Sequence, residues 1–169
     1  QTTAGISVID LSGRFMVANQ RHCDITGYSL EELRTMTVID ITHPDDRPQS
    51  GDLLHGLKKG GSYQLEKRFM RKDGRIVWIH VSSTAVLDEN GKPQCALGVV
   101  LDITERKNAE RTNAHLAALV ASSGDAIKSL TLDGTVLTWN SAAEQLFGYS
   151  AAEIVGKPLD VIVPADREQ

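Results

Sequence analysis

The chain has 169 residues, of which 41% are hydrophobic and 24% charged, with a formal net charge of −4 and a pI near 5.7. That length suits about one domain with a real core. The composition is too apolar for a disordered chain and too acidic for a nucleic-acid surface or a basic membrane-surface helix. No apolar run approaches the ~18 residues of a membrane span, so no membrane contact is expected from this segment. No secretory leader is visible, and Gln1 stands where Met would open a chain, so a piece of a longer protein is expected. Cys23 and Cys95 lie far apart in sequence, and the setting expected from them is reducing and cytoplasmic, although a longer parent is compatible with a membrane tether.

Ile6 to Leu11 alternates in polarity, meets Ser12-Gly13 and resumes from Arg14 to Asn19, which predicts a β-hairpin. From Arg21 to about Pro48 the pattern is helical but broken. Ser29-Leu30-Glu31-Glu32 reads as the capped start of a short helix, and Pro44 and Pro48 punctuate the stretch after it. Ser50 to Lys59 predicts one more short helix, closed by Gly60-Gly61. Three strands come next: Ser62–Arg71, Arg75–Leu87 and Gln94–Asp102, joined at Asp73-Gly74 and Asn90-Gly91. Both dipeptides favour the positive φ angles that tight hairpins require. The order of two strands, short helices and three strands predicts an antiparallel α+β fold with the helices on one side of the sheet.

Asp102-Ile103-Thr104-Glu105 reads as a capping box, and Glu105 to Ser122 holds no Gly or Pro and predicts a connecting helix. On it Ala109, Thr112, Leu116 and Leu119 take a/d spacing over barely two heptads. A helix lying on a domain surface and a dimeric coiled coil both fit that pattern. After Ser122-Ser123-Gly124-Asp125 the chain repeats itself. Leu11-Ser12-Gly13 through Asn19 matches Leu132-Asp133-Gly134 through Asn140; 134 less 13 and 140 less 19 both give 121. Gly27-Tyr28-Ser29 and Glu32 return as Gly148-Tyr149-Ser150 and Glu153, and Pro44, Asp46 and Arg47 return as Pro164, Asp166 and Arg167 at spacing 120. A spacing near 120 is a domain length rather than a solenoid period. The expected organisation is a first domain over 4–104, a connecting helix over 105–122, and the first part of a second domain over 123–169.

These residues resemble a tandem PAS module. The resemblance rests on the strand-turn-strand units ending in Asn19 and Asn140, and on the Gly-Tyr-Ser-x-x-Glu segments. It rests further on His43-Pro44-Asp45-Asp46-Arg47, on the hairpin Arg71-Lys72-Asp73-Gly74 to Trp78, and on Gly98-Val99-Val100-Leu101-Asp102-Ile103-Thr104. It implies a five-stranded antiparallel sheet with a ligand-sized cavity under the short helices. It also implies output through the helix after the last strand and no enzymatic activity in the module. Parents of such modules are often sensor histidine kinases or diguanylate cyclases. The second copy lacks the last helix and final three strands that the family pattern supplies.

Alternation assigns the interior. Ile79 and Val81 face inward with Leu65 and Phe69, which turns Trp78, His80, Ser82, Glu66, Arg68 and Met70 outward. Val17, Ile25, Leu33, Val38, Leu53, Leu57 and Val100 complete the candidate lining. Such an apolar lining suits a plain hydrophobic core without ligand, with the outer face around Trp78 and Met70 left for docking. An organic or fatty acid would also suit if Arg68 or His80 faced inward instead.

No bound cofactor is predicted. The positions where light-sensing relatives carry their reactive cysteine hold Val38 and Leu159, and those of their flavin-contacting amides hold Phe69, Ile79 and Val100. For haem, His55 lies in the right helix, but the resemblance places the iron ligand near Ser50. His22, His43 and His115 have no partners at metal spacing, so no metal is predicted. Lys58-Lys59-Gly60-Gly61-Ser62 lacks phosphate-loop spacing, and no Gly-x-Ser-x-Gly elbow occurs. The sequence supports two functional readings. In the first, a sensor passes its state through Asp102, Ile103 and Thr104 to the helix, in the same chain as an output domain. In the second, a ligand-free module forms a homodimer through Leu116 and Leu119.

Overall fold

Three hairpins form where the turn dipeptides predict them. β1 (Gly5–Asp10) turns at Ser12-Gly13 into β2 (Phe15–Ala18); β3 (Ser62–Met70), β4 (Ile76–Leu87) and β5 (Pro93–Asp102) come after the helices. The computed structural model describes residues 3–162, which divide into a unit ending at Asn108 and one beginning at Ala109.

In the first unit the sheet order is β2-β1-β5-β4-β3, antiparallel throughout. The first and last strands in sequence become neighbours at its centre, with Gly5 opposite Val100 and Asp10 opposite Cys95. Between β2 and β3 run α1 (Gln20–Thr26), α2 (Leu30–Leu33), a 3-10 turn at Pro44–Asp46 and α3 (Arg47–Leu57). They cover one face of the sheet, and Ile9, Phe15, Ile25, Leu33, Ile41, Phe69 and Ile79 are among the side chains buried beneath them.

The repeated residues are those that set local geometry. Asn19 Oδ1 accepts the N–H groups of both Ile6 and His22, tying the start of α1 to β1. Asn140 Oδ1 accepts from Ile127 and Ala143 in the same way. Gly27 and Gly148 end their helices at φ 77° and 79°, a conformation that costs any residue with a Cβ. Glu32 and Glu153 each accept the N–H of the serine three residues before, Ser29 and Ser150.

The second unit opens on a two-stranded sheet of β6 (Lys128–Leu130) and β7 (Val136–Trp139) and continues through α5 (Ser141–Phe147), α6 (Ala151–Ile154) and a 3-10 turn at Leu159–Ile162. Its small core gathers Val136, Trp139, Ala143 and Ile154. The matches at Pro164, Asp166 and Arg167 lie outside the described residues. α4 (Thr104–Ser122) contains the boundary between the units, and none of its residues is buried.

Candidate functional site

Register builds a polar row across the inner floor of the first unit. Ser7 of β1 stands opposite Gly98 of β5, Gly98 opposite Ser83 of β4, and Ser83 opposite Tyr63 of β3. The Ser83 hydroxyl donates to Leu97 O at 3.3 Å. Burial pushes the Tyr63 phenol up, partly offset by a hydrogen bond to Ser83. Above this row lies a cavity of about 20 Å³, room for one water molecule, walled by Phe15, Val38, Phe69, Val81 and Val100 among others.

His22 closes the cavity from α1. It is 1% exposed, and neither Nδ1 nor Nε2 has a hydrogen-bond partner among the described residues. Its ring lies 5.4 Å from that of Phe15 and 6.4 Å from that of Phe69. Burial lowers its pKa to about 4, so the ring is neutral at physiological pH.

A second buried polar cluster lies between α3 and β3. Lys67 is 2% exposed; its ammonium donates to Ser50 Oγ at 3.0 Å and Thr42 Oγ1 at 3.3 Å and sits 5.2 Å from the Phe69 ring centre. Asp46 supports it at longer range but is itself engaged by the Arg68 side chain at 2.7 and 3.0 Å. Desolvation outweighs that support and lowers the Lys67 pKa to about 8.

The start of α4 is fastened to the sheet. Thr104 Oγ1 accepts the Trp78 N–H at 3.0 Å, and the Ile103 N–H donates to Trp78 O at 2.9 Å. Asp102 Oδ1 accepts the Thr104 N–H at 2.9 Å. One turn on, Arg106 and Lys107 both pair with Glu66 of β3, and Lys107 Nζ stands 5.5 Å from the Trp78 ring centre. Trp78 thus links two environments: its backbone and outward ring hold α4, while its neighbours Val77 and Ile79 are buried inward.

The residues of the expected lining divide among core, cavity wall and surface. Ile25, Leu33, Val38, Leu57, Phe69, Ile79, Val81 and Val100 are all buried in the core; of these Val38, Phe69, Val81 and Val100 touch the cavity. Leu65 is half-buried against the core. Val17 is a correction, being 52% exposed. A bulge lets two steps of β2 oppose one of β1, with Ile9 opposite Phe15 and Val8 opposite Val17, which turns Val17 to the outer face. Leu53 is half-buried outside the core cluster, and its neighbour Leu54 packs there in its place, one helical step of about 100° away. Arg68 and His80 do face outward, as alternation requires.

The expected capping box at 102–105 takes another form. Asp102 reaches the Thr104 N–H only two residues on, and Thr104 gives its hydroxyl oxygen to Trp78. Trp78 itself is not a bare docking surface, since Lys107 and Arg68 both cover its ring at 5.5 Å. His55, the haem candidate, is exposed, and so are Leu116 and Leu119 on α4.

Sequence reasoning missed His22 and Lys67. A signal exists for each: His22 shares an i, i+3 face with Ile25, and Lys67 falls between Leu65 and Phe69 on the inward parity of β3. Position argues for burial at both, and polar residue type argues against it.

Comparison with known proteins places this geometry among others like it. Family models described as PAS fold match residues 15–100, just over half of the chain, and residues 114–169. The probable diguanylate cyclase DgcE of Escherichia coli is 26% identical over 85% of this chain and 14% of its own length. The sensor histidine kinase TmoS of Ectopseudomonas mendocina is 31% identical over 66% of this chain and 12% of its own. The sensor protein FixL of Bradyrhizobium diazoefficiens is 29% identical over 72% and 25%. This chain therefore spans a quarter or less of these curated relatives. Among solved structures, a PAS domain from Colwellia psychrerythraea is 28% identical with a TM-score of 0.57, covering 62% of this chain and 89% of that one. A sensory box histidine kinase/response regulator from Burkholderia thailandensis is 26% identical with a TM-score of 0.55, covering 69% and 88%.

Proposed function

We propose, from the premise that this chain belongs to the PAS family, that its first unit senses a small molecule in the interior cavity and passes its state to α4 through Trp78. The observation that carries this reading is the pair of hydrogen bonds between the Trp78 backbone and Ile103–Thr104. β4 alternates, so a ligand pressing on Val81, or on Phe69 of β3 opposite Val77, shifts the strand whose outward residue holds the helix start. The first turn of α4 is the element to be biased. None of its residues is buried, and the Ile103 and Thr104 bonds and the Glu66 pairs fasten it, the features expected of a segment that opens at low cost. The parent is a sensor histidine kinase or diguanylate cyclase in this reading, and the segment itself binds and transmits without catalysis.

The test begins with native mass spectrometry of protein purified without denaturant, to find a retained small molecule. Hydrogen exchange across 104–122 is then followed before and after the molecule is stripped or an added ligand is bound. Faster exchange in the first turn of α4 when the ligand is removed is expected. Identical exchange in the two states overturns the relay.

Leu116 and Leu119, 54% and 53% exposed, favour one further role for the same helix: pairing with a second copy of the chain, which also serves a module without ligand.

A further inference from the structure

The interior cavity has a specific chemistry, and its chemistry selects a class of ligand. Three independent features converge on it. The first is His22, 1% exposed, with both ring nitrogens lacking a hydrogen-bond partner among the described residues. A neutral imidazole offers one donor and one acceptor, and burying both without partners is unfavourable. A buried polar ring retained at that cost invites a partner inside the cavity it faces. The second feature is the row of Ser7, Ser83 and Tyr63, whose hydroxyl-bearing side chains line the same cavity from three strands.

The third is Gly98, in mid-strand between Ser7 and Ser83. Glycine within a strand often marks close approach of another group. A Cβ added there meets Ser7 Oγ at 3.4 Å and Ser83 Oγ at 3.7 Å, ordinary contact distances. A methyl group therefore fits, and it would occupy the space that the glycine leaves open.

No Asp, Glu, Lys or Arg lines this cavity among the described residues, and an isolated charge in an apolar enclosure is strongly disfavoured. We infer that the first unit takes a small uncharged molecule, with a hydroxyl or N–H head hydrogen-bonded to His22 and the serine row and an apolar body among Phe15, Phe69 and Val81. The inference rests on the sensory reading above and supplies its ligand class. The cavity of about 20 Å³ accommodates the head alone, so the body displaces the half-buried Tyr63 side chain as it enters.

The test uses four probes, phenol, indole, imidazole and 1-propanol, with toluene and benzoate as the apolar and charged counterparts of phenol. Binding is read by thermal shift and by the ring-nitrogen resonances of histidine-labelled protein. At least one probe is expected to bind saturably and to move the His22 resonances. Toluene is expected to bind about tenfold more weakly than phenol, the loss of one hydrogen bond, and benzoate not to bind. His22→Phe and Gly98→Ala should each weaken the active probe by about tenfold or more; Gly98→Ala adds only a methyl group that the space accepts, which guards against a His22 variant that fails to fold. Toluene equal to phenol, binding unchanged in both variants, or four probes that leave the His22 resonances in place would each overturn the inference. The relay is judged separately by hydrogen exchange in α4 and survives a ligand of another class.

Discussion

Thr104 and Trp78 meet across the junction of sheet and helix, the threonine hydroxyl oxygen accepting the tryptophan backbone N–H at 3.0 Å. β4 thereby gains a hydrogen bond at a point where its ladder has run out: Ile79 is opposite Asp102, the last residue of β5, and Trp78 is one step beyond. A side chain from the first residue of α4 continues the ladder, so the end of the strand and the start of the helix share one bond.

Thr104→Val keeps the shape and removes the acceptor. The variant should remain folded, lose about 1 kcal/mol, and exchange the Trp78 and first-turn α4 amides faster, while Thr104→Ser restores the wild-type rates. Hydrogen exchange with mass spectrometry checks this. Unchanged rates in Thr104→Val would show that the Ile103 bond to Trp78 and the Glu66 pairs hold the helix without the threonine.

Acid should destabilise the first unit through His22. Its pKa falls from 6.5 to about 4 on folding, because burial disfavours the charged ring. The unfolded chain thus binds the proton first, and stability present above pH 6.5 is lost as pH falls from 6.5 towards 4. The full loss is on the order of 3 kcal/mol. Tyr63, the other titratable group in the cavity wall, stays neutral throughout. Urea titrations from about pH 7 to 4 on wild type and His22→Phe should diverge in slope; parallel curves would contradict the assignment.

Lys67→Met should raise the melting temperature. The buried ammonium has hydroxyl partners but no direct carboxylate among the described residues, and its pKa of about 8 against 10.5 reflects the charged form disfavoured by burial. The folded state bears that cost at neutral pH and is relieved of it as pH rises from 8 towards 10.5. Methionine removes the charge at similar volume, for a gain of about 1–3 kcal/mol. Calorimetry at about pH 7 and 10 should show the gain shrinking at the higher pH; a loss at both would mean that the hydroxyls left behind outweigh the desolvation.

Replacing Leu116 and Leu119 together by Lys should leave the first unit folded, since α4 buries no residue, and shift the chain to monomer in analytical ultracentrifugation. A dimer that survives both substitutions is held by some other surface.

What the amino-acid order determined by itself is whatever depends on neighbours along the chain. The Ser12-Gly13, Asp73-Gly74 and Asn90-Gly91 turns, the Ser29–Glu32 box and the recurrence of Asn19 and Gly27 as Asn140 and Gly148 are all short-range geometry, legible as residue type at fixed spacing. Strand parity likewise placed Phe69, Ile79, Val81 and Val100 inside. The tertiary structure decided what depends on contacts between distant segments. The bulge opposite Val8 and Ile9 sent Val17 outward, and α3 settled with Leu54 rather than Leu53 against the core. His22 and Lys67 are buried because α1 and β3 lie where neither side chain can reach water, and no local pattern states that cost. The row from Ser7 through Gly98 to Ser83 exists only because β5 inserts between β1 and β4, drawing together residues as far apart in sequence as Ser7 and Gly98.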